Sequence, residues 1–234
     1  MDADLFFYQN PKIILNELKS NSVLITEHRY YPATNDHPSG KYCVQFIPFV
    51  NDLYGNRVIS WWKTRCIEWC YLRAEDGKWA DQGYLNDWPS LFEKIVVMEN
   101  RGGGIANWNM DGHKFFKEKS ILQAYNEETK SNIDVIFYHF QGVKIFNNGL
   151  ISLGIYKRNM NVYNLIYKDY LNRLSEKENE LISKIEISRD QFNYQDYPDS
   201  NFKYFFKLLR MYIFPKENDL INYYNFFKKY RWLH

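Results

Sequence analysis

Two aspartates separated by one residue, Asp2 and Asp4, stand directly ahead of the apolar run Leu5–Phe6–Phe7–Tyr8. Side chains alternate along an extended chain, so both carboxylates project to one side while Ala3 points to the other. Paired carboxylates form a hard, anionic oxygen site suited to a divalent cation such as Mn²⁺ or Mg²⁺. The pattern places them at the end of a buried strand; a frayed, solvated segment is the plain alternative. Two later stretches bear on that choice. "ADQGYLNDW" sets Asp81 and Gln82 together at a predicted helix start, where backbone N–H groups favour a negative group. Asp81 as a simple helix cap is the bland counterpart. "FYHFQGVK" puts His139 at a predicted strand end, with Gly142 and Lys144 just beyond. An imidazole can complete the coordination shell of Mn²⁺, Gly142 permits a turn, and Lys144 can then reach a phosphate on the same metal. A hydrogen-bonded histidine that merely closes a strand is the other reading of His139.

The elements that must position these groups alternate in type. "PKIILNELKS" carries Ile13, Leu15 and Leu18 near helical spacing behind Pro11, which suits a first helical turn. "SVLITEH" reads as a strand, and "SGKYCVQFIPFVND" as a second one. "YGNRVISWWKTRCIEWCYLRAEDGK" reads as a long helix, with Ile59, Trp62, Cys66, Trp69 and Cys70 three or four apart. A short helix in "DQGYLNDWPSLF", a strand in "KIVVME" and the loop "NRGGGIANWNMDGH" follow. "KSILQAYNEETKSNIDVIFYHF" reads as strand, polar turn and a second strand ending at His139. From about residue 159 the pattern becomes helical, with Val162, Ile166, Tyr170, Leu174, Leu181 and Ile185 on one predicted face. Two further helical stretches, "NFKYFFKLLRMYIF" and "KENDLINYYNFFKKYRWL", complete the chain. Mixed strands and helices over 1–158, then a helical appendage over 159–234, make an α/β core with a tail.

Composition narrows the function classes. The 234 residues are 45% hydrophobic and 19% aromatic, enough for a substantial core, and the net charge is only +2. That balance argues against a dedicated nucleic-acid binder. No apolar run approaches a membrane span, and three cysteines do not make a disulfide framework, so a reducing cytoplasmic setting is the expectation. Cys66 and Cys70 have a spacing open to metal, but buried packing beside tryptophans is the expected role. "RGGGI" lacks a phosphate-loop ending and reads as a flexible turn.

The order Asp-x-Asp, then Asp-Gln-x-x-Leu, then His-Phe-x-Gly-x-Lys resembles sugar-nucleotide-dependent glycosyltransferases of the GT-A fold, in the glycogenin and lipooligosaccharide galactosyltransferase group. The stretches "SVLITEHRY", "SGKYCVQF", "RCIEWCYLRAEDGKWADQGYLNDWP" and "GGGIANWN" look more specifically like bacterial enzymes of surface-polysaccharide gene clusters. The likeness runs from Asp2 to about His139. It implies a Rossmann-like nucleotide-diphospho-sugar transferase fold. It makes Asp2, Asp4 and His139 the ligands of Mn²⁺ or Mg²⁺, and Gly142 and Lys144 the contacts of the donor diphosphate. It sets Asp81 and Gln82 beside the transferred sugar, and it implies retention of anomeric configuration. The glycine run lines the acceptor side in that family, which makes Trp108 and Asn109 sugar contacts, with packing in the core the alternative for Trp108. His28 and Arg29, which follow a strand end, are expected to face the same site. Three departures stand out. Asn100 replaces a histidine, Asn107 replaces a proline, and the interval from His139 to Lys144 is shorter than in glycogenin-like enzymes.

In that fold the Asp-x-Asp follows a nucleotide-binding half built of βαβ units. The chain is therefore expected to be the acceptor-side part of the enzyme, with the other half supplied upstream or by a partner polypeptide. The expected function is transfer of a sugar from a nucleotide donor to a saccharide or lipid-linked acceptor in surface polysaccharide or lipopolysaccharide synthesis. The alternative is a catalytically inactive fragment that binds saccharide or a partner. In the tail, Lys203, Lys207 and Arg210 share a stripe among apolar residues. Peripheral contact with an anionic membrane is one reading of it. Packing on the core, bases outward, is the favoured one.

Overall fold

The computed structural model describes residues 1–34, 37–146, 150–154, 160–185 and 220–222. They form a mixed α/β molecule with four three-stranded sheets among the described residues. The chain divides into two compact units, Met1–His139 and Phe140–His234, so the division falls upstream of the 158/159 boundary expected from the sequence.

In the first unit, strand β1 (Leu5–Phe7) leads to helix α1 (Lys12–Leu15) with a 3₁₀ turn behind it, then β2 (Val23–Glu27), β3 (Tyr42–Cys43) and helix α2 (Leu53–Glu68). A 3₁₀ turn (Gly83–Asp87), helix α3 (Trp88–Leu91), β4 (Ile95–Val97) and β5 (Ile105–Ala106) follow. The hairpin β6 (His113–Glu118) and β7 (Ile121–Asn126), then β8 (Ser131–Asp134) and β9 (Phe137–His139), complete it. β2 and β4 are parallel and are joined through α2, and β3 flanks β2 antiparallel. Such a strand needs cover on both faces, and "VLIT" supplies it. Leu24 packs with Ile14, Phe46, Met98, Ile136 and Phe137 on one side. Val23 and Ile25 pack with Tyr42, Val58, Leu85 and Trp88 on the other.

Helix α2 begins at Asp52, whose Oδ1 accepts the Gly55 N–H at 2.8 Å and whose Oδ2 accepts the Ser22 hydroxyl at 2.7 Å. It stops at Glu68, because Trp69 is extended and its ring faces Arg73 and Lys78. The expected apolar face is thereby shortened. Ile59 is exposed, Cys66 is half-buried and Cys70 is exposed, so the pair is not buried packing. In α1 the buried residue is Ile14, while Ile13 and Leu15 stay outside. Of the second predicted strand only Tyr42–Cys43 forms a ladder, with an isolated bridge at Phe49. The β6 strand was not expected at all. The strand predicted to end at His139 is two strands, β8 and β9, in different sheets.

In the second unit, β10 (Lys144–Ile145) pairs with β11 (Leu150–Ser152), and a helical stretch runs through α4 (Met160–Val162), a π-helical segment (Tyr163–Tyr167) and α5 (Lys168–Ile185). The π segment adds a residue to its turn and rotates everything after it. Val162 and Ile166 are buried as expected, but beyond them the buried face is Tyr167, Leu171, Ser175 and Glu178, while Leu181 and Ile185 are exposed. β12 (Leu220–Asn222) pairs antiparallel with β11, so the predicted helix "KENDLINYYNFFKKYRWL" is a strand at those three residues. Pairing with a neighbouring edge overrides a local helical preference there. The "NFKYFFKLLRMYIF" stripe lies outside the described residues. Among the described residues, no helix is long and apolar enough to cross a membrane.

Trp88 is fully buried, in edge contact with Trp62 at 5.4 Å and Phe49 at 6.1 Å. Trp88→Ala is expected to lower stability by about 3–5 kcal/mol, read as a reduced urea midpoint at unchanged slope.

Candidate metal centre

The centre is assembled by β9. This strand lies between β1, antiparallel, and β5, parallel, in a register that sets His139 opposite Leu5 on one side and Ala106 on the other. The aspartates precede β1 rather than end a strand. Ala3 and Asp4 form a turn, and the Asp2 N–H donates to the Gln45 carbonyl at 2.9 Å. Among the described residues no strand pairs ahead of Leu5, so no ladder holds this segment extended. Its side chains still divide as the alternation argument expects: Ala3 is exposed and both carboxylates are half-buried.

His139 Nε2 lies 3.0 Å from Asp4 Oδ1 and 3.5 Å from Asp2 Oδ2. One ligand atom from each of the three side chains lies within 4.8 Å of the others. Burial pushes the Asp2 carboxyl up; His139 pulls it down, Asp4 and Asp81 push it up, and the net result is a raised value. Burial pushes Asp4 up as well, but the hydrogen bond from His139 and its charge outweigh this and leave Asp4 lowered. Two carboxylates with opposite shifts around one imidazole leave a negative, partly desolvated pocket. Two oxygen donors and a nitrogen donor within one ion's reach fit Mn²⁺, or Mg²⁺ with water filling the shell.

The remaining predicted residues fall in several places. Asp81 acts on Asp2 through space, and its carbonyl accepts the Trp62 indole N–H at 2.8 Å. It is not a helix cap; Gln82 occupies that position and makes no capping bond with its side chain. Gln82 is buried, its Nε2 donating to Ser39 O at 2.8 Å and its Oε1 accepting the Val44 N–H at 3.3 Å. Both ends of its amide therefore hold backbone. The Trp108 ring meets His139 edge-on at 5.3 Å, and its Nε1–H donates to the His28 carbonyl at 2.8 Å. Asn109 Nδ2 donates to the same carbonyl and to Gly104 O, while Asn109 Oδ1 accepts the Ala106 N–H. Gly142 and Lys144 belong to the second unit. There Gly142, at φ +85°, makes the expected turn and Lys144 opens β10 with its side chain exposed.

"RGGGI" is a packed buried segment rather than a flexible turn. A Cβ on Gly102 would lie 1.9 Å from the Asp134 carbonyl, so only glycine lets this loop press on the link from β8 to β9. The substituted asparagines brace the same loop. Asn100 Oδ1 accepts the Gly102 N–H at 2.9 Å, and Asn107 Oδ1 accepts the Tyr138 hydroxyl at 2.9 Å. Sequence reasoning missed Gln45, which is fully buried with neither amide atom hydrogen-bonded among the described residues, and Cys43, whose thiol burial pushes up to about 12 near the two aspartates. A glutamine inside the otherwise apolar "YCVQFI" was the available signal.

No protein family model matches the chain. It is 32% identical over 154 residues to the uncharacterized protein YfnF of Bacillus subtilis (strain 168), a match covering 62% of this chain and 49% of YfnF. It is 27% identical over 198 residues to the uncharacterized protein YfnD of the same strain, covering 82% of this chain and 62% of YfnD. The chain thus spans about half the length of the first relative and about three fifths of the second.

His28 tests the electrostatics of this region without touching the aspartates. Burial pushes its imidazole down from 6.5 to about 4, and its Nδ1 is buried without a hydrogen bond. A histidine lowered on folding contributes stability that is fully present above its unfolded value and lost as pH falls through its folded one. Stability should therefore fall by roughly 3 kcal/mol between pH 6.5 and 4 through this group. His28→Gln should flatten that part of the denaturation profile measured against pH.

Proposed function

We propose that this chain belongs to a metal-dependent glycosyltransferase of GT-A type. In this reading it moves a sugar from a nucleotide donor to a saccharide or lipid-linked saccharide in surface polysaccharide or lipopolysaccharide synthesis. The observation that carries the reading is the convergence of Asp2, Asp4 and His139 within 4.8 Å from the two ends of the first unit. A bound Mn²⁺ or Mg²⁺ would supply Lewis-acid stabilisation of the departing nucleoside diphosphate. The chain's own residues do the rest. Asp2, Asp4 and His139 would hold the ion, while the diphosphate roles that the resemblance gives Gly142 and Lys144 fall in the second unit, where Lys144 offers an exposed ammonium to a phosphate. Asp81 orients the transferred sugar and stabilises positive character at its anomeric carbon. Trp108, Asn109 and His28 shape the acceptor side. The polar atoms of Trp108 and Asn109 are engaged with backbone, so shape rather than new hydrogen bonds is their contribution.

A catalytically silent saccharide-binding or partner-binding module is the second reading. It is favoured by Gln82, whose amide is committed to Ser39 and Val44 rather than left for substrate.

Donor hydrolysis and transfer, assayed with Mn²⁺ across a panel of nucleotide sugars, separates the two. Asp4→Ala and His139→Ala should each reduce Mn²⁺-dependent turnover by about 100-fold or more, and chelation should abolish it. Full activity of Asp4→Ala would remove the metal role. Saccharide binding with no donor binding at about millimolar concentration would favour the silent module.

A further inference from the structure

A cavity of about 600 Å³ opens in the first unit, and neither aspartate nor His139 lines it. Its wall is partly aromatic. Tyr30 stacks on His37 at 4.2 Å and on His28 at 4.7 Å, and Tyr31 lies beside them, partly exposed. Tyr31 lies against Gly112, where a Cβ would come within 2.9 Å of the ring. Glycine there lets the ring settle on backbone and keeps the cavity open. An exposed aromatic face beside amides and ion pairs is the chemistry that receives a pyranose ring.

The charges lining the cavity do not cancel. Arg101 pairs with Glu128 at 3.0 Å and Lys41 with Glu27 at 3.1 Å, which leaves the Arg29 guanidinium in excess. Arg29 donates from Nη1 to the carbonyls of Asn100 and Gly103, each at 3.1 Å, and from Nη2 to that of Met98. It forms no ion pair among the described residues; Glu27, Glu17 and Glu128 act on it only through space. Its backbone is at φ +51°, a conformation that costs a branched or long residue energy and persists where surrounding structure enforces it. His113 adds no positive charge at neutral pH. Burial lowers it, and its two ring nitrogens are engaged with Asn109 O and Asn126 Nδ2, each at 3.0 Å. A mostly buried cation without a carboxylate partner is costly unless a counter-charge arrives.

We propose that this cavity binds a saccharide ring bearing one acidic group, a carboxylate or a phosphate ester. Its role as the acceptor site rests on the glycosyl-transfer reading; the binding itself does not. The net excess of a single positive charge favours one anionic group over a polyanion, which separates this site from a diphosphate site.

The test titrates the full chain by calorimetry, in chelator and without donor, with methyl glucuronide, glucose 6-phosphate and methyl glucoside. At least one acidic probe should bind about fivefold more tightly than the glucoside, the effect of one partly screened charge pair. Arg101→Gln, which frees Glu128 to offset Arg29 and brings the lining charge to balance, should erase that preference while methyl glucoside still binds. Tyr31→Ala should weaken all three probes, which locates them in this cavity. Equal affinity for charged and neutral probes overturns the proposal, as does a preference that survives both substitutions. Absence of saturable binding of either acidic probe at about 10 mM overturns it as well. Failure of Mn²⁺-dependent donor hydrolysis with this preference intact would sink the transferase reading alone.

Discussion

The register of β9 is the constraint on which the centre depends. Setting His139 opposite Leu5 brings the imidazole to the segment that carries Asp2 and Asp4. A strand's side chains alternate, so a slip of one residue would turn His139 away from the aspartates and drive Tyr138 toward them. Three rings pin the register: Phe7 lies 5.3 Å from Phe137 and 5.8 Å from Phe46, and Phe46 lies 5.6 Å from Phe137. On the other side, β5 pairs Ile105 with Tyr138 and Ala106 with His139. The centre thus inherits its geometry from apolar packing that has no chemistry of its own.

Buried polar atoms without hydrogen bonds concentrate around this strand set. They include Nδ1 of His28, Nδ1 of His139 and both amide atoms of Gln45. Gln45 is tied to the centre by its carbonyl, which accepts the Asp2 N–H, and its Nε2 lies 3.3 Å from where a Cβ of Gly104 would stand. Each unpaired group carries a desolvation penalty of about 1–3 kcal/mol. A ligating histidine ordinarily has its second nitrogen held by a hydrogen bond. Here the ring of His139 is held by its strand and by the edge contact with Trp108 instead.

Much of the centre was legible because its residues announce chemistry by type. An Asp-x-Asp and a strand-ending histidine can be found without knowing what joins them, and "SVLITEH" reads as a strand. What failed did so for reasons carried by tertiary structure. The π-helical segment at Tyr163–Tyr167 shifts the buried face from Leu174 and Leu181 to Leu171, Ser175 and Glu178, and no apolar spacing announces that extra residue. Leu220–Asn222 is a strand because β11 offers it an edge. The glycine run reads as a flexible turn until Asp134 and Met98 are seen pressed against it. Gln82 has the type and place of a catalytic amide, yet the loop at Ser39 and the chain at Val44 use both of its ends.

One short segment joins the two charged regions of the first unit. Trp108 sets its ring edge against His139 of the negative centre, and its neighbour Asn109 lines the cavity with the excess positive charge. Both side chains donate to a single acceptor, the His28 carbonyl. The His28 N–H in turn donates to Lys41 O, and the Lys41 ammonium pairs with Glu27 at the cavity wall. A carbonyl with two lone pairs is saturated by two donors, so neither Trp108 nor Asn109 can shift without leaving a buried polar group unpaired. Trp108, which the sequence offers either as a sugar platform or as core, is thereby fixed in place through its one polar atom. Its ring edge faces His139 and its neighbour Asn109 lines the cavity, so one carbonyl fixes a residue at each.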